Sequence, residues 1–305
     1  MRIWQRGTTI SNPISSPNFY TADRWGCNRA GDVSGATVSR DISGLSGFEY
    51  SLKLQRTAGN TSTAALSLWY SNESTNTYDL AGGPVTLSFY AKTGTTYSGG
   101  LLGVIIYSGT GTDQRVYNYT GLVSVASVNQ AITSTWTRYT LTGTVPANAT
   151  ELGLQFNWVP SGTAGADDSV YITGVQLEAG STATEFERRP IGTELALCQR
   201  YYLKKAALTI NGLALVGNAV VTNVQQDFPD TFPTMRSSPV ASVSAASDFT
   251  IYVAAVTRTA TNLQAANTSP SSCWWITQNN NIGQTVAVTL YASNANAFLQ
   301  YNSEL

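Results

Sequence analysis

Val85-Thr86-Leu87-Ser88-Phe89-Tyr90-Ala91 alternates without a break. Val85, Leu87, Phe89 and Ala91 fall on one side and Thr86, Ser88 and Tyr90 on the other, the period of a strand with one buried face. Ala81-Gly82-Gly83-Pro84 punctuates the chain just before it. Residues 51–55 alternate likewise, with Leu52 and Leu54 together. Residues 65–70 set Leu66, Leu68 and Tyr70 on one face and Trp69 on the other. Residues 101–107 are apolar on both faces and read as a central strand, broken by residues 109–112. Residues 136–142, 152–158 and 170–177 complete the set, the second placing Leu152, Leu154, Phe156 and Trp158 on one face. Short strands at this spacing, with turn residues between them, predict a sandwich or jelly roll.

The rest of the composition agrees. Charged residues are 11% of the 305, against about 25% in an average soluble protein. Ser, Thr, Asn and Gly take their place and favour strands and bends. The formal net charge is −1 and no Lys/Arg run forms a stripe, so nucleic acid has no electrostatic footprint. No apolar run reaches the roughly 18 residues of a span, so membrane insertion is not expected. The opening Met1-Arg2-Ile3-Trp4-Gln5-Arg6-Gly7 lacks the apolar core of a signal peptide. The chain has no histidine, which removes Ser-His-Asp and Cys-His nucleophiles and His-ligated metals. Cys27, Cys198 and Cys273 are odd in number and far apart, against a disulfide framework or a zinc site. No cofactor fingerprint is present, and no cofactor or metal is expected.

The period changes once. Residues 193–202 read as a short helix with Thr193 as N-cap, Glu194 in the first turn, and Leu195, Cys198 and Tyr202 as its stripe. Cys198 is expected to be a small buried hydrophobe. A helix this short must pack on something. Beyond it the reading returns to β. Residues 206–221 are apolar and Gly-broken, 227–233 form a turn-rich passage, and 239–246, 249–256 and 285–291 are strand candidates. The predicted architecture is all-β: an N-terminal jelly-roll sandwich over 1–182, a charged linker and short connecting helix over 183–203, and a smaller C-terminal β domain over 204–305.

Three stretches carry a resemblance. They are Gly174-Val175-Gln176-Leu177-Glu178-Ala179-Gly180-Ser181, then Ala183-Thr184-Glu185-Phe186-Glu187-Arg188-Arg189-Pro190, then Glu194-Leu195-Ala196-Leu197-Cys198-Gln199-Arg200-Tyr201-Tyr202. Together they resemble a signature of bacteriophage tail-fibre and related virion proteins. Arg2-Ile3-Trp4-Gln5-Arg6-Gly7-Thr8 with Tyr20-Thr21-Ala22-Asp23-Arg24-Trp25 is similar to the start of such proteins, and Phe232-Pro233-Thr234-Met235-Arg236 with Pro239 to the entry of their C-terminal β region. The chain begins almost at the first motif, so an anchoring segment found in longer fibres is expected to be missing. Residues 85–92 and 170–178 resemble core strands of carbohydrate-binding jelly rolls.

The resemblance implies a non-enzymatic virion protein of a tailed phage, a tail-fibre-like subunit meeting a host cell-surface glycan. The alternative is a capsid decoration or head-fibre protein; a glycan-degrading enzyme is the third reading. Partners would be other virion proteins and further copies of the chain, as a homotrimer. Glu187, Arg188, Arg189, Leu195, Tyr201 and Tyr202 are the candidate interface between copies. Candidate sugar platforms are Trp69, Tyr70, Tyr78 and Tyr107, with Trp69 the best surface candidate and Trp158 read as core. Trp4 and Trp25 are read as packing residues. In an extended Trp274-Trp275 the rings point to opposite faces, so one is expected to be exposed. Asp167-Asp168 stand in a loop where a calcium ion is the functional reading and a solvated turn the plainer one.

Overall fold

The computed structural model describes residues 2–11, 19–29, 35–207, 209–220, 225–253, 256–278 and 287–304. The chain divides into two compact units, residues 1–191 and 192–304. The 183–203 segment is therefore shared between them.

The first unit holds β1 (Thr9–Ser11), β2 (Phe19–Tyr20), β3 (Gly26–Arg29), β4 (Ala36–Leu45), β5 (Phe48–Arg56), β6 (Leu66–Ser71), β7 (Pro84–Thr93), β8 (Leu102–Gly109), β9 (Val123–Gln130), β10 (Thr137–Thr144), β11 (Glu151–Trp158) and β12 (Ser169–Ala179). They form two six-stranded antiparallel sheets, ordered β1-β4-β5-β12-β7-β10 and β2-β3-β6-β11-β8-β9, the predicted jelly-roll sandwich. Val85, Leu87, Phe89 and Ala91 all point inward and are buried against Leu154, Phe156 and Trp158 of the other sheet. Trp4 and Trp25 pack in the same core, and Trp158 is buried in it as expected.

The outward side of β7 is covered too. Thr86 and Ser88 are buried because the chain after β12 folds back over them. Gly180 O accepts from Thr86 Oγ1 at 2.8 Å, Thr184 N and Oγ1 donate to Glu178, and Glu187 N donates to Gln176 Oε1 at 2.7 Å. Arg138 donates to both Ser88 Oγ and Thr184 O. Phe186 lies edge-on to Phe48, and Arg188 stacks on Phe48 while donating to Gly47 O.

The second unit holds α1 (Ile191–Gln199), β13 (Tyr202–Ala206), β14 (Ala214–Val220), β15 (Gln225–Thr231), β16 (Val240–Val243), β17 (Phe249–Val253), β18 (Val256–Thr259), β19 (Leu263–Ala266), β20 (Ser272–Gln278), β21 (Ala287–Ala292) and β22 (Phe298–Asn302). The sheet orders are β13-β22-β16 and β18-β17-β21-β14-β15-β20-β19. Phe228, Phe249, Ile251, Trp275, Leu290 and Tyr301 form its core. Trp274 is 39% exposed while Trp275 is buried, the expected opposite faces.

Two elements need correction. The helix starts and ends earlier than 193–202, directly after Pro190, and none of its residues is fully buried; Cys198 is half-exposed. The 227–233 passage is mostly strand: Asp227 to Thr231 pair with β20. Pro229 is tolerated because the β14 ladder reaches β15 only as far as Asp227, so its missing N–H lies beyond that ladder. The strand expected over 285–291 is present as β21 from Ala287, and 285 and 286 lie outside the described residues. No described helix is long and apolar enough to cross a membrane.

Candidate functional site

The site is built on the outward face of the β2-β3-β6-β11-β8-β9 sheet. Antiparallel register sets the side chains in rows across the strands. One row reads Asn28, Ser67, Asn157, Gly103 and Asn129. The next reads Gly26, Trp69, Gln155, Ile105 and Ser127. A third brings Ser71, Gly153 and Tyr107 together.

The loop between β8 and β9 closes over the second and third rows. Thr110 N donates to Thr120 O at 2.8 Å. Asp113 and Ser74 exchange two bonds of 2.9 Å each. Val116 N donates to Ser71 Oγ at 2.9 Å, and Gln114 N donates to the buried Glu151 carboxylate. Burial raises the Glu151 pKa despite those backbone donors. The loop thereby lays Val116 and Tyr119 on Trp69. The indole lies where a Cβ at Gly26 would stand, and Val116 and Tyr119 crowd the space over Gly153, so both glycines are required by close approach.

The first row stays open at Asn28, Asn157, Gly103 and Asn129, with Ser67 buried between the first two. Tyr117, 43% exposed, stands beside it. Its hydroxyl donates to Asn28 Oδ1 at 3.0 Å and accepts from Gln155 Nε2 at 2.8 Å. Gln155 also donates to Ser67 Oγ at 3.1 Å, and Ser67 donates to Asn157 Oδ1 at 2.9 Å. Burial pushes the Tyr117 hydroxyl up to about 12, so it remains a neutral donor. The result is an uncharged strip: one aromatic wall, a connected line of amides and hydroxyls, and Gly103 leaving room between Asn157 and Asn129. Among the described residues nothing accepts from Nδ2 of Asn28 or Asn157. Such groups suit a ligand presenting hydroxyls and an apolar ring face.

The aromatic residues singled out from the sequence divide. Trp69 is 1% exposed, not a surface residue: it supports the site from beneath. Tyr70 faces inward against Trp25 and Arg24. Tyr78 is exposed on the turn Tyr78–Leu80 and is not part of the strip. Tyr107 is on the correct face, half-buried beside Trp69. Tyr117, Asn28, Gln155, Asn157 and Asn129 were missed. The alternation of residues 152–158 already places Gln155 and Asn157 opposite the core face; Tyr117 carries no such signal.

The proposed interface residues also divide. Arg188 is engaged with Phe48 and Gly47, and Tyr201 and Tyr202 are buried, Tyr202 OH donating to Gln300 at 2.7 Å. The two tyrosines are not free surface for a partner, whereas Arg188 stays exposed while it makes these contacts. Glu187 and Arg189 form an exposed pair at 3.2 Å, and Leu195 is half-buried. In place of a calcium pair, Asp168 is buried on Arg56 at 2.8 Å and Asp167 meets Lys53 at 3.0 Å. The two acids serve different cations: Asp168 is buried, while Asp167 lies in a turn and stays partly exposed, the plainer reading for that residue.

No family model matches the chain, and no curated protein does. Solved structures similar to it include a CBM4 module at 20% identity and TM-score 0.33, covering 52% of this chain and 88% of that one. The CBM22-1 xylan-binding domain from Paenibacillus barcinonensis Xyn10C aligns at 14% and 0.35, covering 57% and 94%. The enzymatically active domain of tailspike protein 4 from bacteriophage CBA120 aligns at 20% and 0.36, covering 56% of this chain and 21% of that one. At these values the likenesses add nothing to what the strand pairing itself establishes.

Proposed function

We propose that the first unit is a non-catalytic glycan-binding module that holds neutral saccharides along Asn28, Ser67, Asn157, Gly103 and Asn129, with a sugar ring against Tyr117. The observation that carries this reading is the hydrogen-bonded line from Asn28 through Tyr117, Gln155 and Ser67 to Asn157. It fixes an aromatic ring beside an open row, with the buried Gln155 and Ser67 holding that ring and Asn157 in place, and brings no charge. Glycan-array screening of the chain, followed by titration, tests it. Saturable binding of a neutral oligosaccharide that Tyr117→Ala and Asn157→Ala each abolish supports the reading. No neutral ligand, or binding indifferent to both changes, overturns it.

The setting we propose is the particle of a tailed bacteriophage, with a tail-fibre-like subunit meeting a host cell-surface glycan. What supports it is the sequence resemblance across residues 174–202 and the opening motif. Antibody labelling of particles in electron microscopy locates the protein on tail or head, or finds it absent. We also read the chain as a homotrimer. Light scattering that gives a stable monomer at micromolar concentration overturns that.

A further inference from the structure

The outward face of the other sheet carries a different chemistry. Lys53, Tyr171 and Lys92 stand in register across β5, β12 and β7. Trp136, just before β10, lies edge-on to Tyr171 with centroids 6.4 Å apart, and its Nε1 donates to Ser43 O at 2.7 Å, which fixes the indole. Lys92 Nζ sits 5.2 Å from the Trp136 ring centroid and 4.7 Å from that of Tyr171. Lys53 Nζ sits 5.1 Å from the Tyr171 centroid.

The carboxylate in this group is already committed. Asp167 takes an ion pair from Lys53 at 3.0 Å and hydrogen bonds from Tyr171 OH, Ser169 Oγ and Thr95 N. Lys92, half-buried, has among the described residues no ion pair and no side-chain hydrogen bond; its contacts are the two rings. The ammonium is held over two aromatic rings and still reaches solvent, where an anion can meet it. Two cations against one carboxylate leave an excess positive charge beside a fixed, half-exposed indole. An aromatic face next to a cation matches a pyranose that carries its own carboxylate: the C–H face of the ring against the indole, the carboxylate on the ammonium.

We propose that Lys92, Trp136 and Tyr171, with Lys53 behind them, form a second saccharide site, selective for acidic sugars of the uronate class and separate from the neutral strip on the opposite sheet. This site does not depend on the function proposed above.

The test is calorimetric titration of the full chain with a galacturonate oligosaccharide, the matching neutral galactose oligosaccharide, and inorganic phosphate. The galacturonate is expected to bind saturably and more weakly as salt rises. Lys92→Gln is expected to weaken it by about tenfold or more, the scale of a lost charged hydrogen bond. Lys92→Arg retains binding, and Tyr117→Ala leaves it unchanged while removing any neutral ligand. Equal affinity for the acidic and neutral oligosaccharides, phosphate binding as tight as galacturonate, or an unaffected Lys92→Gln overturns the proposal. Should Lys92→Gln unfold, chemical-shift mapping on the unaltered chain replaces it. Shifts at the Trp136 indole N–H and Tyr171 support the site; shifts confined to the Tyr117 strip overturn it.

Discussion

The Arg56 guanidinium and the Asp168 carboxylate meet at 2.8 Å, and neither side chain has any solvent exposure. The pair is hydrogen-bonded from both sides, with Arg56 Nε left buried without a partner among the described residues. Asp168 accepts from Ser98 N and Ser98 Oγ, both at 2.7 Å, and Arg56 Nη2 donates to the carbonyls of Asn60, Ser62 and Gly162. One arginine thus fastens the loops that follow β5, β7 and β11 at one end of the sandwich. Breaking a buried pair from one side strands a charge, at about 3–5 kcal/mol. Asp168→Asn and Arg56→Met are expected to destabilise the first unit on that scale in urea denaturation. The double variant should lose clearly less than the sum, since the two share one interaction.

Trp69 offers a separate test, because its burial changes what its removal means. Trp69→Ala empties a volume lined by Tyr20, Val116 and Tyr119. The expected cost is about 3–5 kcal/mol, typical of a buried large aromatic. Gly26→Ala is expected to destabilise as well, since the added methyl meets the indole. Thermal melts of both variants check this. If Trp69→Ala melts with the parent, the ring is not the support for the strip.

Acid stability should depend on Asp167. Burial alone would raise its pKa, but the Thr95 N–H, the Ser169 hydroxyl and Lys53 outweigh it and bring it from 3.8 to about 2. A folded pKa below the unfolded one gives stability that is present above about pH 4 and lost as pH falls through 4 toward 2. Asp167→Asn should therefore flatten that part of the stability curve and leave its slope near neutrality alone. Urea midpoints taken between pH 2 and 7 measure it.

The sandwich was legible where one face is continuously apolar. Val85 to Ala91 and Leu152 to Trp158 give the core directly, and by elimination they place Gln155 and Asn157 outward. Alternation states which face a side chain takes, not whether another segment covers that face. Trp69 was placed off the main core and is covered by a loop more than 40 residues further on. Tyr117 was unreadable for the same reason. Residues 110–122 have no period, and their shape is set by Ser71, Ser74 and Glu151, all distant in sequence. The strand from Gln225 to Thr231 was hidden by Pro229 between two aspartates, although the burial of Phe228 is what seats it.

That loop supplies the sharpest test of how the strip is positioned. Glu151 touches no strip residue in the contacts described, yet its carboxylate receives Gln114 N, and Gln114 Oε1 receives Thr120 N at 2.7 Å. Tyr117 is suspended between these two anchors. Glu151→Ala removes the acceptor and is expected to free the loop without unfolding the sandwich. Losing a hydrogen bond to a charged group is worth about 1.5–3 kcal/mol locally. Amide exchange at Gln114 and Val116 should then rise by about tenfold or more, and neutral-glycan affinity should fall because Tyr117 is no longer held. Glu151→Gln keeps an acceptor oxygen at that position and should restore both. Slow exchange in Glu151→Ala, or binding retained with the loop freed, would show that Tyr117 is positioned by Asn28 and Gln155 of the sheet and not by the loop.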